Sequence, residues 1–172
     1  VVRAILDDPR KKNLLSSLLQ DILPFVNGIS VEKAMDRSLI LMIREIYHKD
    51  HAFPGLFLSD GTINIIALII ALYFEDRPVT IIEEPERNIH PNLIKRLVSM
   101  LMDASRNKQI LVTTHTPEMV RHVALEDILL ISRDRDGFSA ISRPATKAEI
   151  RRFLEDEIGI EELFIQNLLG IE

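Results

Sequence analysis

Cysteine is absent from this sequence of 172 residues, which excludes both disulfide bonds and thiolate metal sites. Basic residues are outnumbered, with 21 Lys and Arg against 26 Asp and Glu and a formal net charge of −5. No global basic surface therefore points to nucleic acid, although the composition leaves a local basic patch open. The lack of cysteine suits a reducing cytoplasm, which is the predicted location.

Long hydrophobic runs are also missing. The longest extends from Ile63 to Phe74 and is interrupted by Asn64. A membrane-spanning helix needs roughly 20 apolar residues, so this run predicts a buried core helix and no membrane association. The apolar share of the sequence, 47%, is enough to bury a core, and the length fits a single domain over residues 1–172. No signal peptide is visible, and because the chain opens on Val1 we expect it to be part of a longer protein.

A strand tipped by two carboxylates is the strongest pattern. The run Val79–Ile82 predicts a parallel strand buried on both faces, because three of its four residues are β-branched aliphatics. Glu83 and Glu84 follow at once, and Pro85 ends the strand. The two acids are thus predicted at the carboxyl end of a strand, where open α/β sheets place their ligand chemistry.

This pair of acids suits magnesium and phosphate chemistry. Glu83 is the candidate magnesium ligand, directly or through water, because Mg²⁺ prefers carboxylate and phosphate oxygens. Glu84 points elsewhere and is the candidate that orients and polarises a water attacking a terminal phosphate. Taken alone, the same two residues also fit a solvated acidic start of a loop.

A second motif, Leu58-Ser59-Asp60-Gly61-Thr62, precedes the apolar helix. A helix start presents free backbone N–H groups and the positive end of its dipole, which suits a phosphate. Gly61 lets the backbone approach closely, and the Ser59 hydroxyl adds a donor. The alternative interpretation is an ordinary helix N-cap.

A third motif, Thr113-Thr114-His115, follows a second apolar strand, which is predicted over Gln109–Thr113 and is also expected to be buried on both faces. His115 is the candidate donor to a γ-phosphate, which would sense whether a triphosphate is present. A histidine at a strand end also fits a structural polar residue.

The signature turn, the acid-tipped strand and the histidine-tipped strand, in this order, resemble the ABC-class ATPases of the non-transporter branch. This branch includes the chromosome-maintenance and recombination-repair ATPases, the OLD-type nuclease ATPases and the predicted ATPases often grouped under AAA. The forms Leu-Ser-Asp-Gly-Thr and Glu-Glu-Pro-Glu-x-x-x-His-Pro resemble that last group, over roughly Phe53 to Arg143. The resemblance implies an α/β, three-layer P-loop NTPase-like fold, with a mostly parallel sheet flanked by helices and a small antiparallel hairpin region.

The resemblance also implies ligands, an assembly and further site residues. ATP and Mg²⁺ are the implied ligands, and a head-to-tail homodimer around nucleotide is the implied assembly. Ser59 and Gly61 would contact the γ-phosphate held by the opposite subunit. Asn88 and His90 fall in the D-loop of the family, which lies across the dimer seam.

The sequence departs from the commoner family pattern at three positions. Asp60 and Thr62 differ from the Leu-Ser-Gly-Gly-Gln form of the signature, and the charge of Asp60 disfavours direct phosphate contact there. His90 stands where an aspartate is more usual.

The rest of the sequence predicts flanking elements in three parts. Residues 1–57 predict a helical and hairpin lobe, residues 58–143 the core with the signature, Walker B, D-loop and histidine motifs, and residues 144–172 C-terminal helices. Three segments are expected to be neighbouring strands with helices on both sides: Val79–Ile82, Gln109–Thr113 and Ile128–Ile131. The other expected elements are helices over Arg10–Leu23, Asn92–Asp103, Thr146–Glu157 and Glu161–Leu169, strands over Ile29–Ala34 and Leu39–His48, and a hairpin of Asp127–Arg133 with Phe138–Arg143.

The predicted site lies at one edge of this sheet. We expect Glu83, Glu84 and His115 to converge in one cleft at the carboxyl ends of the strands. Ser59 and Gly61 should lie well away from them in the same chain, because the resemblance assigns them to the nucleotide of the partner subunit.

The turn Asp134-x-Asp136-Gly137 has two interpretations. It resembles the second acidic motif of Toprim nuclease domains, which use paired aspartates for metal. That domain also needs an upstream glutamate on its own strand and far more chain, and neither is found. A hairpin with an Asp-Gly turn is therefore favoured.

A phosphate-binding loop is the last absence. None of the six glycines is followed by lysine, so the sequence lacks the Gly-x-x-x-x-Gly-Lys-[Ser/Thr] loop that cradles β- and γ-phosphates. In the resembled family this loop lies ahead of everything present here. The chain is therefore interpreted as the C-terminal part of an ATPase head, without its N-terminal lobe.

Two classes of function remain open. The first is part of an ATP hydrolase that drives a partner or an appended effector, in DNA repair, phage defence or another process. This piece alone is then expected to be inactive. The second is an ATPase-derived module that binds partners without hydrolysis. The intact Glu83 and Glu84 pair and His115 favour the first.

Overall fold

The computed structural model describes residues 1–48, 50–134, 136–148, 150, 159–166 and 168–170. They form an α/β chain with one parallel and two antiparallel sheets, which confirms the predicted fold class. The chain divides into two compact units, Val1–Thr113 and Thr114–Glu172. Within the described ranges, every helix is too short or too polar to cross a membrane.

The first unit opens with two helices, α1 (Val2–Asp7) and α2 (Pro9–Ile22). Asp8 caps α2, because its Oδ1 accepts hydrogen bonds from two N–H groups of the first turn at 2.9 and 3.3 Å. The predicted amphipathic pattern is confirmed, since one side of α2 is buried in the core through Leu15, Leu19 and Ile22.

An antiparallel sheet follows, with three strands in the spatial order β1 (Val26–Lys33), β2 (Leu39–Glu45) and β3 (Ala52–Pro54). The paired residues Ile29 and Ile43 lie opposite each other in β1 and β2, and both are buried. Asp36 fixes the turn between these strands, since its Oδ1 accepts a hydrogen bond from the N–H of Ser38 at 2.9 Å. Both segments predicted as extended are therefore strands.

Helix α3 (Asp60–Tyr73) lies in the core, as the apolar run predicts. Eight of its 14 residues are buried, and Ile69 is fully enclosed. It packs against α2 and against α4 (Pro91–Ala104). The buried side of α4 consists of Ile94, Leu97, Val98, Met100, Leu101 and Ala104.

Strands β4 (Val79–Glu83) and β5 (Gln109–Thr113) form the predicted parallel pair, with α4 as the crossover between them. The prediction that β4 and β5 are buried on both faces is wrong. Alternate residues of both strands are exposed, and three of them are large aliphatic side chains: Val79 at 46%, Ile81 at 68% and Leu111 at 42%. An aliphatic run predicts an apolar neighbour but not its source, and no part of the chain that the structure describes covers this face.

The second unit contains α5 (Pro117–Arg121) and α6 (Ile160–Ile165), which pack together. An ion pair of 3.3 Å joins Arg121 Nε to Glu161 Oε1. The expected helix over Glu161–Leu169 is observed as α6, followed by a 3₁₀ turn that includes Leu168 and Leu169. The expected helix over Thr146–Glu157 falls largely outside the described residues.

The second unit also contains the predicted hairpin, formed by β6 (Leu130–Arg133) and β7 (Ser139–Ser142). Asp134 fixes its turn, because Oδ1 accepts hydrogen bonds from the N–H groups of Asp136 and Phe138 at 3.0 and 2.8 Å. β6 pairs with β7 in a two-stranded sheet, and because β4 and β5 lie in the other unit, the prediction that this region neighbours them stays a prediction. Hydrophobicity predicts a strand but does not select its partner.

Candidate functional site

The two carboxylates stand at the carboxyl end of β4. Glu83 is the last residue of the strand, pairs with Thr113 of β5 and has an exposed side chain. Glu84 extends the pairing by one residue, because its N–H donates to the carbonyl of Thr113 at 3.0 Å. The parallel pair therefore holds the backbone of both acids at the edge of the sheet.

Glu84 then turns the chain with a φ of 44°, in the left-handed region. A left-handed conformation costs a residue other than glycine roughly 1–2 kcal/mol. Strain of this kind gathers at functional sites, where the surroundings hold it in place. Glu84 is half-buried whereas Glu83 is exposed, so the two adjacent carboxylates have different surroundings.

Residues 85–90 form a short loop that leads to α4. The N–H of Arg87 donates to the Glu84 carbonyl at 2.9 Å, and the N–H of Ile89 donates to the carbonyl three residues before it at 3.0 Å. Ile89 is buried, and Asn88 has a left-handed φ of 62°, which asparagine adopts more readily than most residues. Two turns shape this loop, and its part from Arg87 to His90 is the segment predicted as the D-loop.

His90 caps helix α4. Its Nδ1 accepts a hydrogen bond from the N–H of Asn92 at 3.2 Å, and Pro91 occupies the first helical position. The ring nitrogen that accepts this bond serves as the N-cap acceptor of the helix. His90 thus has a structural role, and its contact with nucleotide stays a prediction.

Ser59 caps helix α3. Its Oγ accepts a hydrogen bond from the N–H of Thr62 at 3.2 Å and lies 2.9 Å from Thr62 Oγ1. Thr62 is buried, so the two hydroxyls form a hydrogen bond in which either one donates. With Thr62 as the donor, the Ser59 hydrogen is available to a ligand. Thr62, one of the departures from the commoner signature, therefore orients the serine.

Gly61 and Asn64 bring α3 against the loop. A Cβ added at Gly61 would collide with the carbonyl oxygen of Asn88 and lie 3.2 Å from its carbonyl carbon. Asn64 Nδ2 donates to the Arg87 carbonyl at 3.1 Å. The sequence predicts a close approach of Gly61 to a phosphate, whereas the structure shows a close approach to the chain's own backbone. Sequence reasoning misses Asn64, and its signal is that it interrupts the apolar run of α3.

A depression of about 320 Å³ lies between α3 and this loop, and its lining is Asp60, Ile63, Asn64, Arg87 and Asn88. One acidic and one basic side chain face it, so the depression favours neither sign of ligand charge.

His115 follows β5 along the chain and belongs to the second unit. Its side chain is exposed, and the backbone beside it is fixed by Thr114, whose Oγ1 accepts a hydrogen bond from the N–H of Thr116 at 3.0 Å. Because Glu83 and Glu84 lie in the first unit, the convergence of His115 with the two acids stays a prediction.

The residues at the edge of β4 fit a magnesium ion that is shared with phosphate. Among the residues that the structure describes, no three acidic or histidine side chains are grouped to hold a metal. Glu83 offers a single exposed carboxylate. Mg²⁺ is commonly bound through one or two carboxylates together with phosphate oxygens and water, and one carboxylate satisfies that requirement.

Solved structures similar to this chain include heads of SMC ATPases. A chain from a study of ATP-driven dimerization and DNA stimulated activation of SMC ATPases has a TM-score of 0.56 at 17% identity, covering 86% of this chain and 92% of that one. The Smc head of Pyrococcus furiosus bound to the C-terminal domain of ScpA has a TM-score of 0.62 at 16% identity, and the match covers 85% of this chain and 37% of that one. The SMC head of Thermotoga maritima has a TM-score of 0.55 at 16% identity, and the match covers 83% of this chain and 50% of that one. At these identities the likeness shows the fold, which is that of a P-loop ATPase head.

Sequence comparison gives the family. An uncharacterized protein of Methanocaldococcus jannaschii is 30% identical over an alignment of 97 positions, and the match covers 52% of this chain and 24% of that protein. The match thus spans about a quarter of the length of this relative. The sequence model described as "AAA domain, putative AbiEii toxin, Type IV TA system" matches residues 2–121, well over half of the chain. The resemblance to P-loop ATPases is thereby confirmed, and the chain belongs to this AAA-domain family.

Proposed function

We propose that this chain is the C-terminal part of an ABC-type ATPase head that binds and hydrolyses ATP as a nucleotide-bridged homodimer. The observation that carries the proposal is the end of β4. Two adjacent carboxylates are held there by pairing with β5, and a left-handed backbone at Glu84 separates their surroundings. One acid for the metal and one for water is what phosphoryl transfer to water requires.

In this proposal Glu84 is the general base. Its carboxylate orients the attacking water and accepts its proton. Glu83 would hold Mg²⁺ together with the phosphates of ATP, and when bound the ion neutralises phosphate charge. His115 donates to the γ-phosphate of the same copy. Ser59, at the start of α3, donates to the γ-phosphate held by the partner copy, where the helix dipole also favours an anion.

The exposed aliphatic face of the β4–β5 sheet supports a further lobe. Val79, Ile81 and Leu111 are large apolar side chains on one sheet face, and contiguous surfaces of this kind usually mark an interaction site. We assign this face to the N-terminal lobe that carries the phosphate-binding loop. Two of the matched SMC heads are longer, since the match covers 37% and 50% of them, whereas it covers 92% of a third SMC ATPase chain.

The relatives support dimerisation and suggest a setting. One matched structure concerns ATP-driven dimerization and DNA stimulated activation, and another is bound to ScpA. The family description names a toxin of a type IV system. The proposed role is a nucleotide-driven dimer, with Asn88 and His90 at its seam, that drives a partner or appended effector in DNA repair or phage defence.

Replacing Glu84 by Gln in the protein that also carries the phosphate loop tests this proposal. The amide keeps the shape of the side chain but cannot accept the proton, so turnover should fall by roughly 10²–10⁴-fold. ATP affinity should be retained, and ATP-bound dimers should accumulate. Steady-state hydrolysis and sedimentation with ATP measure the two effects. Glu32→Gln, at an exposed position of β1, is the control and should change neither.

Equal turnover in Glu84→Gln and wild-type protein would show that Glu84 is not the base. A wild-type protein that binds ATP without turnover would favour the second candidate, a partner-binding module. The exposed aliphatic face of the β4–β5 sheet also suits that function.

A further inference from the structure

We infer that Gly61 and Asn64 form a latch that holds the loop after Glu84 on helix α3, and that Asn64 is a positioning residue of the ATPase site. The positioning role rests on the proposed function, whereas the latch is independent of it. The name latch refers here to the two contacts of Gly61 with Asn88 and of Asn64 with Arg87.

The helix contributes one face to the latch. Gly61 and Asn64 are three residues apart, so they lie on the same side of α3. The missing Cβ of Gly61 leaves room for the carbonyl of Asn88, and the side chain of Asn64 donates to the preceding carbonyl, that of Arg87. Two consecutive peptide groups of the loop are therefore seated on one face of the helix.

The loop contributes a backbone that needs such support. It follows one left-handed residue, Glu84 with φ of 44°, and contains a second, Asn88 with φ of 62°. Residues other than glycine keep this conformation where the surroundings hold them. The contacts with α3 fall on Asn88 and on Arg87 next to it, so the helix supplies that hold at one of the two strained positions.

Arg87 connects the latch to the acid. Its carbonyl accepts a hydrogen bond from Asn64, and its N–H donates to the carbonyl of Glu84 at 2.9 Å. A continuous path of contacts thus runs from the start of α3, which Ser59 caps, to the backbone that sets the direction of Glu84. All of these residues lie in the first unit. Loss of the hydrogen bond from Asn64 to the Arg87 carbonyl should therefore shift the position of the Glu84 carboxylate, although Asn64 is not assigned a contact with that carboxylate.

Asn64→Asp removes the donor while keeping the size of the side chain. Asn13→Asp is a matched control, because Asn13 is the exposed fifth residue of the 14-residue helix α2, as Asn64 is the exposed fifth residue of the 14-residue helix α3. Both changes add one negative charge at the same distance from a helix start, so the dipole acts on them alike. Asn64→Ala removes the donor without adding charge.

Amide hydrogen exchange of Arg87 and Ile89 measures the latch directly. The net loss of one hydrogen bond corresponds to about a fivefold change in an opening equilibrium, so both amides should exchange about fivefold faster in the two Asn64 variants. Asn13→Asp should leave them unchanged. Equal exchange rates at these amides in all variants would overturn the latch.

Steady-state kinetics of the protein with its phosphate loop measure the positioning role. Asn64→Asp should lower kcat by roughly tenfold through a displaced Glu84, with KM changed less than twofold, because Asn64 is assigned no contact with nucleotide. Faster exchange with an unchanged kcat would overturn the positioning role. If the wild type shows no turnover, the proposed function has failed, and the exchange rates alone decide the latch.

Discussion

The two ends of helix α3 are tied to their neighbours in different ways. At the carboxyl end, Lys108 Nζ donates to the carbonyl of Glu75 at 2.8 Å. The Tyr73 hydroxyl lies 3.3 Å from the Met100 carbonyl and 3.2 Å from Asp103 Oδ2. Carbonyl groups of the last helical turn lack partners within the helix, and Lys108 Nζ also donates to one of them, the carbonyl of Ala71, at 3.4 Å. No described residue at this end has a left-handed backbone.

The amino end holds features that lower stability. Gly61 has a lower intrinsic helix propensity than alanine, which cannot replace it without colliding with the Asn88 carbonyl, and Glu84 and Asn88 are left-handed. A histidine, His90, caps the next helix in place of the stronger Asp, Asn or Ser. The difference teaches that the contacts at the carboxyl end increase stability, whereas the residues at the amino end keep a particular loop geometry at a cost in stability. Departures of this kind are expected at functional sites.

The largest effect on stability should come from Gly61→Ala. The new Cβ would meet the backbone carbonyl of Asn88, which cannot rotate away, so either the loop or the helix must shift. Overpacking of this kind lowers the free energy of unfolding by about 1–3 kcal/mol. Denaturant unfolding measures the change.

Gly28→Ala is the control for this variant. A Cβ at Gly28 lies 3.9 Å from its nearest neighbour, the Cβ of Arg44, which is an ordinary contact. The control should be neutral or slightly stabilising, because alanine loses less backbone entropy than glycine. Equal stability of the two alanine variants would contradict the proposed difference between the ends of α3, since the amino end would then not pack closely against the Asn88 carbonyl.

A smaller effect is expected at the carboxyl end from Tyr73→Phe. The change removes the hydroxyl that lies against Met100 and Asp103, and one such hydrogen bond contributes about 1 kcal/mol to stability. Tyr47→Phe is the matched control, because Tyr47 is 73% exposed and is the other tyrosine of the sequence. Denaturant unfolding near pH 8 should show the loss in Tyr73→Phe alone.

The same pair gives a pH dependence. Burial, followed by the hydrogen bond and charge of Asp103, raises the pKa of Tyr73 from 10.0 to about 12. A group whose pKa is raised by folding stabilises the protein below its unfolded pKa and loses that contribution as the pH rises through the folded one. The stability difference between wild type and Tyr73→Phe should therefore be constant below about pH 10 and shrink between about pH 10 and 12. A difference that grows over this range would contradict the assigned contacts.

Local patterns predicted most elements and one cap of the site. The period of α2, the N-cap at Ser59 and the turn at Asp134 depend on residues a few positions apart, so the sequence contains the whole cause. The left-handed backbone of Glu84 and the bond from Asn64 to a carbonyl 23 residues away depend on how a loop lies on a helix. Local patterns carry no such information.

The wrong predictions of burial for β4 and β5 share a different cause. Val79 and Ile81 are aliphatic and were expected in a buried strand, yet both are exposed. The prediction failed because a hydrophobic run indicates that an apolar neighbour is needed but does not identify the element that provides it. The order of the motifs predicted the family, while the geometry around Glu84 follows from tertiary contacts. The roles of Glu83 and His115 remain predictions from motif order alone.

The smallest effect, and a gain, is expected from His90→Asp. An aspartate at the N-cap accepts the same hydrogen bond from the N–H of Asn92 and adds a negative charge at the positive end of the α4 dipole, so stability should rise by about 0.5–1 kcal/mol. His51→Asp is the control, since His51 is exposed and lies outside the helices, where the same charge completes no cap. Thermal and denaturant unfolding of the two variants should show the gain for His90→Asp only. A loss of stability would mean that the imidazole makes contacts which an aspartate cannot replace, and the amino end would then be optimised as fully as the carboxyl end. A gain in stability would sharpen the contrast between the two ends of α3. It would show that the loop after Glu84 ends in a histidine although an aspartate at the same position is more stable.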